Sequence, residues 1–113
     1  MSDVIYKVQV AETAYQTLSI IEDYKAYTIG LEAAQNLVDD LLIESSRLIG
    51  ENPLAYGYSS MLLDKGIQFH QWFSKDRQFR AIYDVVGGEI QILAYASTNQ
   101  DLITLLYQLL IVH

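Results

Sequence analysis

Phe79-Arg80-Ala81-Ile82-Tyr83-Asp84-Val85-Val86-Gly87-Gly88-Glu89-Ile90-Gln91-Ile92-Leu93-Ala94-Tyr95 decides the fold of this chain. Two runs rich in β-branched and aromatic residues flank a Gly-Gly pair. Glycine reaches positive φ without a Cβ penalty, so the pair predicts a tight β-hairpin between strands at 78–86 and 89–95. Upstream, residues 67–73 also have strand composition. There Gln68, His70 and Trp72 alternate onto one face, opposite Ile67, Phe69 and Gln71. At the N-terminus Val4, Tyr6, Val8 and Val10 alternate with Ile5, Lys7 and Gln9, again the period of a strand.

Between the first strand and the later ones the period changes from two to about three and a half. Ala14, Leu18 and Ile21 place a helix over 11–27. Thr28-Ile29-Gly30 interrupts it. Leu31, Ala34, Leu37, Val38, Leu41, Leu42, Ser45, Leu48 and Ile49 form the inner stripe of a second helix. Gly50 takes the C′ position in this reading, and Pro53 follows. Residues 52–66 read as irregular, with Gly57-Tyr58-Ser59-Ser60 as a loop. Thr98-Asn99-Gln100-Asp101 has the form of a capping box and predicts a last helix from Thr98. The order is β-α-α-β-β-β-α. It predicts one α+β domain over 1–113, a helical hairpin packed on a mainly antiparallel sheet. Val8, Leu18, Ile21, Leu37, Leu41, Ile82 and Ile92 are the expected core.

A chain of 113 residues, 51% apolar and 19% charged, can bury a core without staples. It has no cysteine, which excludes disulfides and thiolate chemistry. The start lacks the basic and apolar stretches of a signal peptide, and no apolar run has the length of a membrane span. A soluble, cytoplasmic protein that does not engage membranes is expected. The net charge is −7. Phosphate backbones repel such a domain at long range, so direct nucleic-acid binding is not expected. The charges are segregated. Residues 11–52 hold eight acids and two bases, whereas Lys65, Lys75, Arg77 and Arg80 fall within sixteen residues.

Several segments together resemble the RelE/ParE superfamily of type II toxin–antitoxin toxins. Val10-Ala11-Glu12-Thr13-Ala14 is similar to its strand-to-helix entry. Asn52-Pro53-Leu54 stands where a proline follows the second helix. Phe79-Arg80-Ala81-Ile82-Tyr83 resembles its aromatic-Arg-x-x-Tyr strand, Gly87-Gly88-Glu89-Ile90-Gln91-Ile92-Leu93 its turn and last strand, and Ser97-Thr98-Asn99-Gln100-Asp101-Leu102 its close. The chain departs from the pattern in being acidic. It also has Ala96, Ser97 and Asn99 where the family usually places His and Arg. Those cations belong to the ribosome-dependent mRNA-cleaving branch, so the likeness is nearer to ParE. It implies a toxin subunit neutralised by a cognate antitoxin and inhibiting DNA gyrase when free. The alternatives are a non-toxic or immunity-type binding protein of the same fold, and a RelE-like mRNA endonuclease.

Cleaving RNA needs a base, an acid and a cation on the developing charge. Arg80, Tyr83 and His70 are the weak candidates, too thin a set to predict an enzyme. Lys75, Arg77 and Arg80 are the expected target-binding residues, Arg80 projecting from the sheet; the plainer alternative is that they solvate one strand face. His70 reads more simply as a surface strand residue. Asp39, Asp40, Glu44 and Glu32 read as a solvated acidic face, since like charges four apart repel. No His/Asp/Glu spacing suggests a metal, and no cofactor is expected. Residues 102–112 carry nine apolar side chains in eleven positions. A helix apolar on nearly every side needs cover on nearly every side. Leu105, Leu106, Tyr107, Leu109 and Leu110 are therefore expected at a partner interface, with the antitoxin or in a homo-oligomer; the alternative is a helix buried in its own domain.

Overall fold

The computed structural model describes residues 6–101, 104 and 105. Strand β1 (Lys7–Val10) leads into helix α1 (Glu12–Ile29) and helix α2 (Leu31–Glu51). A 3-10 turn (Pro53–Ala55) and a short helix α3 (Ser60–Leu63) precede strands β2 (His70–Phe73), β3 (Phe79–Val86) and β4 (Glu89–Ser97). The sheet has the order β1-β4-β3-β2, with β1 parallel to β4 and the other pairs antiparallel. The α+β class and the helical hairpin on a mainly antiparallel sheet are as the sequence predicts. Among the described residues no helix is long and apolar enough to cross a membrane.

The hairpin of helices turns on one residue. Gly30 has φ 90, a backbone that side chains with Cβ rarely adopt, and α1 runs on to Ile29 rather than stopping at Tyr27. Gly50 is a correction. It lies inside α2, which is capped by Asn52, whose N–H donates to Leu48 O. The residue is small for a packing reason: a Cβ there would sit 3.0 Å from Val8 Cγ2. The stretch 52–66 is more ordered than its composition suggested. Ser59 caps α3, accepting the Leu62 N–H through its side chain.

The sheet is covered on both faces. Ala14, Leu18 and Ile21 of α1 and Val38, Leu41 and Ile49 of α2 pack on Trp72, Phe79, Ala81, Tyr83, Ile90, Ile92 and Tyr95. Val8 and Leu37 flank this core half-buried. On the other face Leu62, Ile82, Ala94, Ala96 and Leu105 form a second cluster with Ile67 and Phe69. Ile82 and Ile92, both expected inside, are inside on opposite faces. A β-bulge explains how β4 serves both. Ile82 pairs with Ala94 and Tyr83 with Ile92, so Leu93 is the extra residue. Beyond it the parity flips: Ile90, Ile92 and Tyr95 face the helices, while Ala94 and Ala96 face away. Leu93 O is taken up by the Thr13 hydroxyl at 2.6 Å.

Two further expectations are corrected. No helix starts at Thr98, since residues 98–100 form a turn. Thr104 N–H and its hydroxyl donate to the Asp101 carboxylate, and Leu105 N–H donates to Asp101 O. Leu105, expected at a partner interface, is 5% exposed within the second cluster of its own domain. Leu106, Tyr107, Leu109 and Leu110 lie outside the described residues.

Candidate functional site

The β2–β3 connection brings the basic residues out of the sheet. Ser74 N–H donates to Phe79 O, and Arg77 N–H to Ser74 O. Asp76 accepts from the Ser74 hydroxyl at 2.7 Å and from Gln78 N–H at 3.0 Å. These bonds, led by that from Ser74, hold its carboxyl below the usual carboxylate range. The turn closes with Arg77 at φ 60, the only described residue other than glycine with positive φ. For a residue with Cβ that backbone costs roughly 1–2 kcal/mol. The Arg77 guanidinium lies 4.6 Å from the centre of the Phe73 ring. Lys75 is exposed at the same turn.

Two clefts flank Phe79 at this end of the molecule. One, of about 640 Å³, lies between α2 and the turn; Leu37, Leu41 and Trp72 line it together with Asp40, Glu44, Lys75 and Asp76. The other, of about 520 Å³, lies between α1, the turn and the end of β4. Its walls are Ile20, Tyr24 and Lys25 from α1, Arg77 and Gln78 from the turn, and residues 97–100. The Lys25 ammonium stands 5.7 Å from the Phe79 ring centre and 5.9 Å from that of Tyr24. Lys25 was not among the residues singled out in the sequence. Its helical position hides a neighbour fifty residues away, and no local signal marks it.

Arg80 departs from the expectation that it projects into solvent. It is 8% exposed, and its Nη2 donates to Thr98 O at 3.3 Å and Gln100 O at 3.4 Å. Its Nε has no hydrogen-bond partner among the described residues. Burial pushes its pKa down, because the charged form loses hydration. Arg80 therefore anchors the turn after β4 from behind, whereas Lys75 and Arg77 stand in front of it.

Tyr83 and His70 are also interior. The Tyr83 hydroxyl donates to Pro53 O at 2.6 Å, and burial raises its pKa well above the ordinary tyrosine value. His70 is a correction: it is 9% exposed, not a surface strand residue. Its ring stacks on Tyr83 at 5.1 Å and meets Tyr58 at 4.4 Å. A carbonyl can only accept, so His70 Nδ1–H donates to Tyr56 O at 2.7 Å. The face of β2 that holds His70 is the one that carries Trp72 into the core. The three candidate groups thus hold separate pieces of backbone in place. Tyr95 does similar work beside α2: its hydroxyl meets Ser45 Oγ at 2.7 Å, and burial raises its pKa to about 12. Among the described residues no cluster of His, Cys, Asp or Glu could hold a metal ion.

No family model matches the chain, and no curated protein matches it by sequence. A solved structure does. The chain is similar to one titled chromosomal ParDE TA system from P. aeruginosa, with a TM-score of 0.70 and 22% identity. The match covers 84% of this chain and 98% of that chain. The fold is ParE-like. Nearly all of the other chain is accounted for, so the likeness is one of the fold as a whole. In this ParE-like frame the cations of the turn and Lys25 stand at one end of the sheet.

Proposed function

We propose that the chain is the toxin subunit of a type II toxin–antitoxin pair, held by a cognate antitoxin and acting in the cytoplasm on DNA gyrase when free. The observation that carries this reading is the match over 98% of a chain from a ParDE toxin–antitoxin structure. The antitoxin and the gyrase target come from the resemblance of Phe79-Arg80-Ala81-Ile82-Tyr83 and its flanking segments to the ParE branch. The alternative of a ribosome-dependent mRNA endonuclease draws no support from the site. Tyr83 and His70 are buried and hydrogen-bonded to carbonyls, and Arg80 is turned onto Thr98 O and Gln100 O. None of the three presents a free acid, base or cation to a phosphodiester.

Induced expression of the chain in a bacterial host, alone and with the neighbouring reading frame, is the direct test. Growth arrest that the neighbour relieves is expected. Purified gyrase should lose supercoiling activity on addition of the chain, and primer extension on translated mRNA should show no new cuts. Cuts at ribosomal A-site codons, lost in Arg80→Ala, would return the endonuclease reading. Normal growth on expression of folded protein would favour the non-toxic binding protein.

A further inference from the structure

The cleft between α1, the β2–β3 turn and the end of β4 sets Arg77, one of the expected target-binding residues, beside Lys25, which the toxin reading does not use. Lys25 and Arg77 both line it, and among the described residues no carboxylate does. Among the described residues the one ion pair is Arg47–Glu51, so neither cation is neutralised by a salt bridge. Asp76, beside Arg77 in the chain, feels the Lys25 charge but lines the neighbouring cleft and is engaged by Ser74 and Gln78. Each cation is held against aromatic rings, Lys25 by Tyr24 and Phe79 and Arg77 by Phe73. Arg77 keeps its place at a strained left-handed position where glycine would fit without strain. In a chain of net charge −7, two cations on a wall with no acid among its described residues run against the overall balance.

The remaining walls narrow the ligand. Tyr24 is 68% exposed and offers an aromatic face. Ile20 adds apolar surface, and Gln78, Asn99 and Gln100 bring amide side chains to the other side. The volume of about 520 Å³ falls in the range of small-molecule sites. Two cations suit a diphosphate better than a single carboxylate, and a flat ring with polar edges suits a tyrosine face opposed by amides. We propose that this cleft binds a free nucleoside diphosphate, its phosphates on Lys25 and Arg77 and its base on Tyr24. Arg80 is a positioning residue here: its bonds to Thr98 O and Gln100 O hold the turn that forms the far wall. The net negative charge slows the encounter but does not govern the bound state, since fields from exposed charges fade over about 8 Å at physiological salt.

The test is an NMR titration of the ¹⁵N-labelled full chain with ADP, adenosine, pyrophosphate and a hexaglutamate peptide in parallel. Saturable shifts with ADP, confined to the neighbourhood of Tyr24, Lys25, Arg77 and residues 97–100, are expected. Lys25→Gln and Arg77→Gly should each weaken ADP binding about tenfold, the loss of one charge-assisted contact. Lys65→Gln, an exposed cation outside the cleft, should leave it unchanged. Arg77→Gly also relieves the left-handed strain and should raise the melting temperature, so its lost binding would not be a folding defect. Absence of shifts with ADP, or shifts indifferent to both substitutions, would overturn the proposal. Adenosine or pyrophosphate binding as well as ADP would also overturn it, as would tighter binding of hexaglutamate, which would make the cleft a seat for an acidic protein segment.

Discussion

Gly50→Ala separates two forces that act at one position. Inside an exposed helix the change is favourable by about 0.8–1 kcal/mol, because alanine loses less backbone entropy than glycine. At this site the added methyl would stand 3.0 Å from Val8 Cγ2. Carbon atoms attract best at about 3.5–4.0 Å, so the pair is short by at least half an ångström. Overpacking of that kind costs roughly 1–3 kcal/mol. Val8 belongs to β1, which among the described residues pairs with β4 along one side only, and β1 can yield in part. The single substitution should therefore destabilise by about 0–2 kcal/mol, the difference between the two effects. The decisive measurement is the double-mutant cycle. In a Val8→Ala background the opposing methyl is gone, and Gly50→Ala should now stabilise by about 1 kcal/mol. Urea unfolding of the four proteins, with midpoints compared at constant m, gives a coupling of roughly 1–3 kcal/mol between the sites. Additivity within about 0.5 kcal/mol would show that Gly50 is not small because of Val8, and the packing argument would fall.

Leu41→Ala removes a buried side chain between α2 and the sheet and should cost about 2–5 kcal/mol by chemical denaturation; a loss under about 0.5 kcal/mol would mean the helix face is wrongly placed. Tyr83→Phe leaves Pro53 O without its donor in the interior and should cost about 1–3 kcal/mol, read from the same unfolding curves. Tyr83 and Tyr95 also make stability depend on alkaline pH. Both have folded pKa values raised above the ordinary tyrosine value, so the native state keeps protons that the unfolded chain releases. Their contribution is fully present below about pH 10 and is lost as pH rises from there toward the folded values. Thermal melts from pH 8 to 12 should show the decline, and Tyr83→Phe with Tyr95→Phe should flatten it.

The hairpin at Gly87-Gly88, the two long helices and the order of the strands were legible in the chain. Each depends on local chemistry: Gly87 supplies positive φ at a tight turn, and the apolar period follows from one covered helix face. The site was legible only in part. Lys75 and Arg77 stand in the exposed turn where their types suggest. Arg80 shares the same stretch but points to the far face of the sheet, under the turn after β4, and there its charge serves the fold. His70 misled for a related reason. A polar residue on a strand signals solvent until its partners are known, and Tyr56 O, Tyr58 and Tyr83 supply them from other segments.

Local preferences in this sequence determined which segments become the long helices and the strands, because propensity, turn chemistry and periodicity act over a few neighbouring residues. The tertiary structure alone decided what each element meets. The bulge at Leu93 reverses the faces of β4, so Ile92 and Ala94 serve different clusters although periodicity would place them together. Gly50 is glycine because of Val8 on a distant strand, and Lys25 joins Arg77 because α1 lies beside the β2–β3 turn. Such contacts join residues more than forty positions apart. No local pattern encodes them, since the free energy that selects them arises only when the packed faces exclude water together.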